Sequence, residues 1–188
     1  ALTCFRNMKV AGFAADRMTY ICILKACGII GSLDIGEDIV VEIRKQGLLQ
    51  NDVVLGNALV DMFAKCGELS KAREAFEQLS VKNIVSWTVL IAGYAQHKCG
   101  DEALKCFKQM QIDGFSPDAV TYICILKVCA FLGSLEIGED IDVEIRKQGL
   151  LEKDAVLGAT LIDMYAKCGA LHKAREVFDQ LPTQNLAA

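Results

Sequence analysis

The chain has 188 residues, with 24 acidic against 20 basic side chains and a net charge of −4. That balance is a poor bulk signature for a nucleic-acid binder, although charge can segregate between the faces of an elongated fold. A hydrophobic content of 53% with 2 prolines suits packed helices and excludes disorder, and the apolar runs are too short and too interrupted by charge to span a membrane.

Residues 1–16, ALTCFRNMKVAGFAAD, return as ALKCFKQMQIDGFSPD at 103–118. The opening therefore matches the middle of a later unit, and the natural N-terminus, with any targeting segment, is expected upstream. Residues 19–79 return at 121–181, with about 44 of the 61 positions identical. A step of this kind marks an array that grows in one dimension, each unit contacting mainly its neighbours.

Smaller units divide the step. Ala1, Gly36, Ala72, Ala103, Gly138 and Ala174 share one phase, spaced by about 35, 36, 31, 35 and 36 residues. Each unit holds two amphipathic stretches. In the unit from Arg17, the second helix carries Leu33, Ile35, Ile39 and Ile43 and stops at Gly47. In the unit from Val53, VVLGNALVDMFAK places Leu55, Leu59, Met62 and Phe63 at helical spacing. CGE then breaks the helix, and LSKAREAFEQL resumes with Leu69, Ala72, Phe76 and Leu79. Gly67 and Gly169 fall where a left-handed cap ends a helix, and Pro117 and Pro182 follow second helices.

The recurrent Ala or Gly lies early in each second helix, where a missing side chain lets the paired helix approach. Tyr20, Trp87 and Tyr122 share a slot near the start of first helices. Rings there can stack on bases or fill the wedge between helix layers. The pattern predicts an all-α fold, an α-solenoid of helix–turn–helix units. Its inner face, lined by one helix of each pair, would take a peptide or a nucleic acid.

Nine cysteines invite a test for metal or disulfide chemistry. Eight are copies of one another: Cys4/Cys106, Cys22/Cys124, Cys27/Cys129 and Cys66/Cys168. Cys99 has no copy, no CxxC occurs, and neither His97 nor His172 recurs as histidine one step away. Copying at equal phase reads as a packing slot for a small apolar side chain, with buried, reduced thiols in a reducing compartment and no metal. No HxE with a later CxxC, no P-loop and no GxSxG appears, so neither an enzyme nor a cofactor is predicted.

Three segments resemble the motifs of pentatricopeptide repeats, and more narrowly of the PLS subclass of plant organelle proteins. Val85–Asp118 (VSWTVLIAGYAQ…DEALKCFKQMQIDGFSPD) resembles the standard (P) motif. Val120–Leu150 (VTYICILKVCAFLGSLEIGEDIDVEIRKQGL) resembles the long (L) motif. LGNALVDMFAKCGELSKAREAFEQL and LGATLIDMYAKCGALHKAREVFDQL resemble the short (S) motif. The resemblance covers essentially the whole chain. It implies a superhelical solenoid with residues 1–16 as the second helix of a partial P repeat, 17–52 L, 53–83 S, 84–118 P, 119–154 L, 155–185 S, and 186–188 as a tail.

In that family each repeat binds one base of single-stranded RNA, through a residue near the start of the first helix and the last residue of the repeat. The resemblance implies Thr88 with Asp118 for guanine, and Asn57 with Asn83 for pyrimidines. It pairs Ile21 with Asp52 and Ile123 with Asp154, where isoleucine offers no hydrogen bond and discrimination is expected to be weak. It pairs Ala159 with Asn185, where readout is not expected. The implied base clamps are Met18, Val54, Val85, Val120 and Val156, which also read as ordinary helix packing. Lys65 and Lys167 would lie near phosphates or serve as solvated surface lysines, with Lys25 and Lys127 a weaker version. Glu37, Asp38, Glu42 and Arg44 belong to second helices and are expected to face outward.

Stacking and base-edge contacts are each worth ~1–3 kcal/mol, and two repeats have polar selectors, which predicts weak, salt-sensitive binding for this segment. By resemblance, the parent protein would recognise cytidine-to-uridine editing or RNA-processing sites in a mitochondrion or chloroplast. The alternative is a protein-interaction scaffold that docks small editing accessory proteins through its L repeats. Self-association through the array ends is a third expectation.

Overall fold

The computed structural model of the chain describes residues 2–49 and 52–181. Among the described residues there are eleven α-helices and no strand. They are α1 (Leu2–Val10), α2 (Arg17–Ile30), α3 (Leu33–Lys45), α4 (Val53–Lys65), α5 (Leu69–Glu77), α6 (Ile84–Gln96), α7 (Gly100–Ile112), α8 (Ala119–Leu132), α9 (Leu135–Lys147), α10 (Ala155–Lys167) and α11 (Leu171–Gln180). None is long and apolar enough to cross a membrane.

Helices α2, α4, α6, α8 and α10 start where a short acceptor side chain precedes them. Asp16 and Asp118 sit in extended backbone and accept from the amide N–H of Thr19 and Thr121. The Thr19 hydroxyl adds a second hydrogen bond, and together these hold the Asp16 carboxyl below its ordinary range. At the other end, Gly31 and Gly133 turn left-handed at φ 68° and 69° and return their N–H groups to the carbonyls of Cys27 and Cys129. The sequence repeats, and so does the cap.

The chain forms two compact units, residues 1–93 and 94–188, divided inside α6. In the first unit α2 packs on α1, α3 and α4, and α4 packs on α3 and α5. In the second, α8 packs on α7, α9 and α10, and α10 packs on α9 and α11. Each unit is thus a stack of helical hairpins, the α-solenoid architecture that the periodicity predicts.

The small residues early in second helices work across repeats. A Cβ on Gly36 would meet Met62 Sδ at 2.6 Å, and one on Gly138 would meet Met164 Sδ at 2.5 Å. Each methionine belongs to the first helix of the following repeat, so the close approach expected within a pair is made to the next pair instead. Ala72 and Ala103 are fully buried at the same phase, while Ala1 lies outside the described residues.

The aromatic slot is a packing slot. Tyr20, Trp87 and Tyr122 are buried, and their rings meet Phe5, Phe76 and Phe107 edge-on at 6.5, 4.6 and 6.2 Å. These rings are therefore closed to base stacking. The Tyr20 hydroxyl donates to Glu42, and Gln46 donates to the same oxygen at 2.8 Å. Glu42 is consequently less an outward-facing charge than expected: it also pairs with Lys9 at 2.5 Å, and that ammonium holds its carboxyl below the usual range.

The cysteines divide more than their copying implies. Cys27, Cys106 and Cys129 are buried, Cys66, Cys99, Cys124 and Cys168 half-buried, and Cys4 and Cys22 exposed. Equal phase fixes direction from the helix axis, but burial also depends on what stands next to each helix. The expected buried slot therefore fails at Cys4 and Cys22.

Candidate functional site

One apolar side chain stands exposed just inside the N-terminus of each first helix. Met18, Val54, Val85, Val120 and Val156 retain 49–62% of their surface, although Leu55 and Leu157 beside them are fully buried. Core packing does not account for these five residues. Scattered exposed valines are ordinary, but one at the same phase of five successive first helices is a pattern that helix stability does not require.

In the first unit two of them, Val54 and Val85, line one open groove of about 510 Å³ across α2, α4 and α6. Asn57 lies in the groove wall at 7% exposure. Its Nδ2 lies 3.5 Å from Asn83 Oδ1, at the limit of a hydrogen bond, and its Oδ1 is buried without a hydrogen-bond partner. A buried unpaired carbonyl costs ~1–3 kcal/mol. Ile21, Lys25, Asp61 and Lys65 complete the polar and apolar rim.

The residues expected to end the repeats cap helices. Asn83 Oδ1 accepts from the Ser86 N–H at 2.9 Å and its hydroxyl at 3.0 Å. Asp118 Oδ1 serves Thr121 in the same way. Asp52 Oδ1 accepts from Val54 and Leu55, and Asp154 Oδ1 from Val156 and Leu157. One oxygen of each is thus spent on the helix start. This role was legible in the D-x-x-T and N-x-x-S spacings at residues 16–19, 118–121 and 83–86.

Thr88 is 8% exposed and donates its hydroxyl proton to the Ile84 carbonyl at 2.8 Å, so toward a ligand it acts as an acceptor. Thr88 belongs to the first unit and Asp118 to the second. Ile21 is buried, Ile123 half-buried and Ala159 exposed; Asn185 lies outside the described residues.

The lysines carry partners. Lys65 pairs with Asp61 at 2.7 Å and Lys167 with Asp163 at 2.8 Å, each one helical turn away. Both remain accessible, each with a carboxylate beside it at the surface. Such exposed pairs are worth ~0.3–0.5 kcal/mol, little enough for an anion to displace them.

Family comparison accounts for the array. A family described as the PPR repeat family matches residues 82–130, and the PPR repeat matches 57–84 and 160–186, together more than half of the chain. The chain belongs to the pentatricopeptide repeat family. It is 34% identical over 188 residues to a pentatricopeptide repeat-containing protein of Arabidopsis thaliana, covering all of this chain and 27% of that relative. A chloroplastic member from the same plant is 38% identical over 188 residues, 100% of this chain and 30% of the relative. A mitochondrial one is 38% identical over 183 residues, 97% and 32%. This pentatricopeptide repeat chain therefore spans under a third of the length of these curated relatives.

The same fold is seen in the maize pentatricopeptide repeat protein PPR10, solved in complex with an 18-nt psaJ RNA element. That structure shares a TM-score of 0.78 and 23% identity over 99% of this chain and 28% of that chain. The repeat domain of the Arabidopsis thaliana protein-only RNase P 1, in complex with tRNA, gives a TM-score of 0.59 at 17% identity, covering 87% and 91%.

One polar contact escaped the sequence reading of these pentatricopeptide repeats. Arg17, the first residue of α2, reaches Asp52 with Nε on Oδ2 and Nη2 on Oδ1, the latter at 2.9 Å. Burial would raise the Asp52 carboxyl, but this guanidinium and the Leu55 and Val54 amides outweigh it and hold the group below its ordinary value. Arg17 has no charged counterpart in the second copy, where Ala119 stands, so repetition gave no signal for it.

Proposed function

We propose that this chain binds single-stranded RNA at about one base per repeat, as the recognition segment of a PLS-type protein. In this reading the parent protein addresses cytidine-to-uridine editing or RNA-processing sites in a chloroplast or mitochondrion, and this segment supplies the address without the chemistry. The observation that carries it is Asn57: a buried amide with an unpartnered acceptor, in a groove walled by the exposed Val54 and Val85. A flat base between two aliphatic side chains, with its edge on a short amide, uses all three features. The organellar names of two relatives and the RNA bound to PPR10 agree with it.

Fluorescence anisotropy of the chain with short single-stranded RNAs at low salt tests this. Asn57→Leu removes an unsatisfied polar group, so folding is retained while affinity for pyrimidine-containing RNAs falls. Thr88→Asn moves preference at one base from guanine toward uracil. Unchanged preference in both variants would end the base-reading assignment.

A second role, docking of accessory proteins on the L repeats, draws support from Val41 and Val143. These copies are exposed at 51% and 50% on the second helices of both L repeats. Val41→Glu with Val143→Glu separates the roles: docking is lost while RNA affinity stays.

A further inference from the structure

We propose that Arg17 is a specificity-determining residue that silences base reading in the first L repeat by occupying the acceptor its counterpart leaves open. The proposal rests on the one-base-per-repeat reading above.

The two L repeats agree almost everywhere that reading matters. Ile21 and Ile123 offer no hydrogen bond, Met18 and Val120 are both exposed, and Asp52 and Asp154 both cap the next first helix. Each aspartate spends Oδ1 on two amide N–H groups, at 3.1 and 3.0 Å for Asp52 and 2.9 and 3.0 Å for Asp154. The repeats differ in what meets Oδ2. On Asp52 it is the Arg17 guanidinium, whose planar fork engages both carboxylate oxygens. Among the described residues no such group meets Asp154, and Ala119 stands at the position of Arg17.

The consequence concerns charge and acceptor capacity. In the second L repeat, Asp154 keeps one carboxylate oxygen, with no cation on it among the described residues, for a ligand. That oxygen accepts from an exocyclic amino group, such as cytosine N4, and repels a carbonyl. In the first L repeat the ion pair removes both the charge and the acceptor. With isoleucine at the other selector position, neither selector side chain of this repeat offers an unpaired acceptor oxygen. Arg17 itself remains half exposed, at 49% of its side chain, against 16% for Asp52. Arg17 immediately precedes Met18 and Asp52 stands two residues before Val54, so the pair flanks the two proposed clamps in the chain.

Selection of the full chain from a random pool of single-stranded RNA at low salt, followed by sequencing, reads this directly. The wild-type chain enriches amino-bearing bases at the nucleotide facing the second L repeat and shows no preference at the one facing the first. Arg17→Ala creates a second enriched position three nucleotides away, with the same preference, at about tenfold discrimination. Ala119→Arg erases the original one. A uniform loss of affinity in Arg17→Ala, with no new enriched position, would make Arg17 a phosphate contact and overturn the proposal. So would an unchanged profile in both variants while the wild-type chain still enriches sequences, an outcome that leaves one-base reading standing. No enrichment by the wild-type chain itself overturns both.

Discussion

The Tyr165 hydroxyl donates to Asp142 Oδ2 at 2.8 Å, inside the second unit, where the first copy of the repeat has Phe63 and Val40. Both members of the pair changed together: of the differences between the two copies, one adds a buried carboxylate and another the hydroxyl that satisfies it. Arg146 Nε donates to Oδ1 of the same carboxylate at 2.7 Å and passes its Nη1 to Gln180. In the first copy Arg44 has no carboxylate there and keeps its bond to Gln78 at 3.2 Å.

Removing one partner is therefore expected to cost more than removing both. Tyr165→Phe leaves Asp142 buried and short of a donor and destabilises the chain by about 1–2 kcal/mol. Asp142→Val with Tyr165→Phe, which restores the pair of the first copy, stays within about 1 kcal/mol of wild type. Urea denaturation followed by circular dichroism compares them. A pH series adds a sign. Burial first, then the Asp142 carboxylate, pushes the Tyr165 hydroxyl above its ordinary value. A raised folded value means the folded chain holds that proton more tightly, so its stabilising effect is complete below about pH 10 and lost as pH rises further. Alkaline loss of stability is shallower in Tyr165→Phe. Equal slopes would deny the coupling.

Gly93 couples packing to the groove. A Cβ there would stand 2.6 Å from Ala64 Cβ, an atom that moves only if the α4 backbone moves. Gly93→Ala gains about 1 kcal/mol of helix propensity but forces α6 from α4, for a net loss of about 1–3 kcal/mol. Because these two helices carry Val85 and Val54, RNA affinity falls with it. Gly138→Ala is milder, since its new methyl meets the flexible Met164 thioether. Thermal melts ranking Gly138→Ala below Gly93→Ala would contradict this account.

The helices and their phase were legible because an array repeats its hydrophobic pattern: α4 spans the run read as Val53–Lys65. The five exposed clamp residues were legible as positions but not as exposed, because a valine near a helix start suits a core equally well. The cap role of Asp52 and Asp154 lay hidden behind the selector role, one side chain serving both signals. The Arg17–Asp52 and Asp61–Lys65 pairs were missed for a different reason. Arg17–Asp52 joins residues far apart in the chain, and its arginine is absent from the second copy. Asp61–Lys65 recurs as Asp163–Lys167, but a four-residue spacing of opposite charges does not by itself fix the rotamer that closes the pair.

Thiol chemistry measures that gap between phase and burial. Burial, with Cys168 nearby, pushes the Cys129 thiol up to about 12, so almost no thiolate forms at neutral pH. Cys4 and Cys22 lie exposed. Alkylation of the native chain is expected at Cys4 and Cys22 first, with Cys27, Cys106 and Cys129 protected until it unfolds, as read by peptide mass spectrometry. Early labelling of Cys129 would show that α8 opens locally.

The Asp61 carboxylate decides how useful Lys65 is to an anion. It holds the ammonium at 2.7 Å within the groove wall, so a phosphate meets a neutralised pair rather than a free cation. Asp61→Asn keeps the shape and removes the competing charge. RNA affinity at low salt is then expected to rise about two- to fivefold, and the logarithmic salt dependence to steepen by up to ~0.7 for each lysine freed, the increment for one single-strand phosphate contact. Asp163→Asn should do the same through Lys167, whose aspartate lies at 2.8 Å. Lys65→Ala in the wild-type background changes little, whereas in the Asp61→Asn background it removes the whole gain. If Asp61→Asn leaves both affinity and salt slope unchanged, Lys65 does not meet the phosphate backbone, and the groove binds its ligand by base contacts alone.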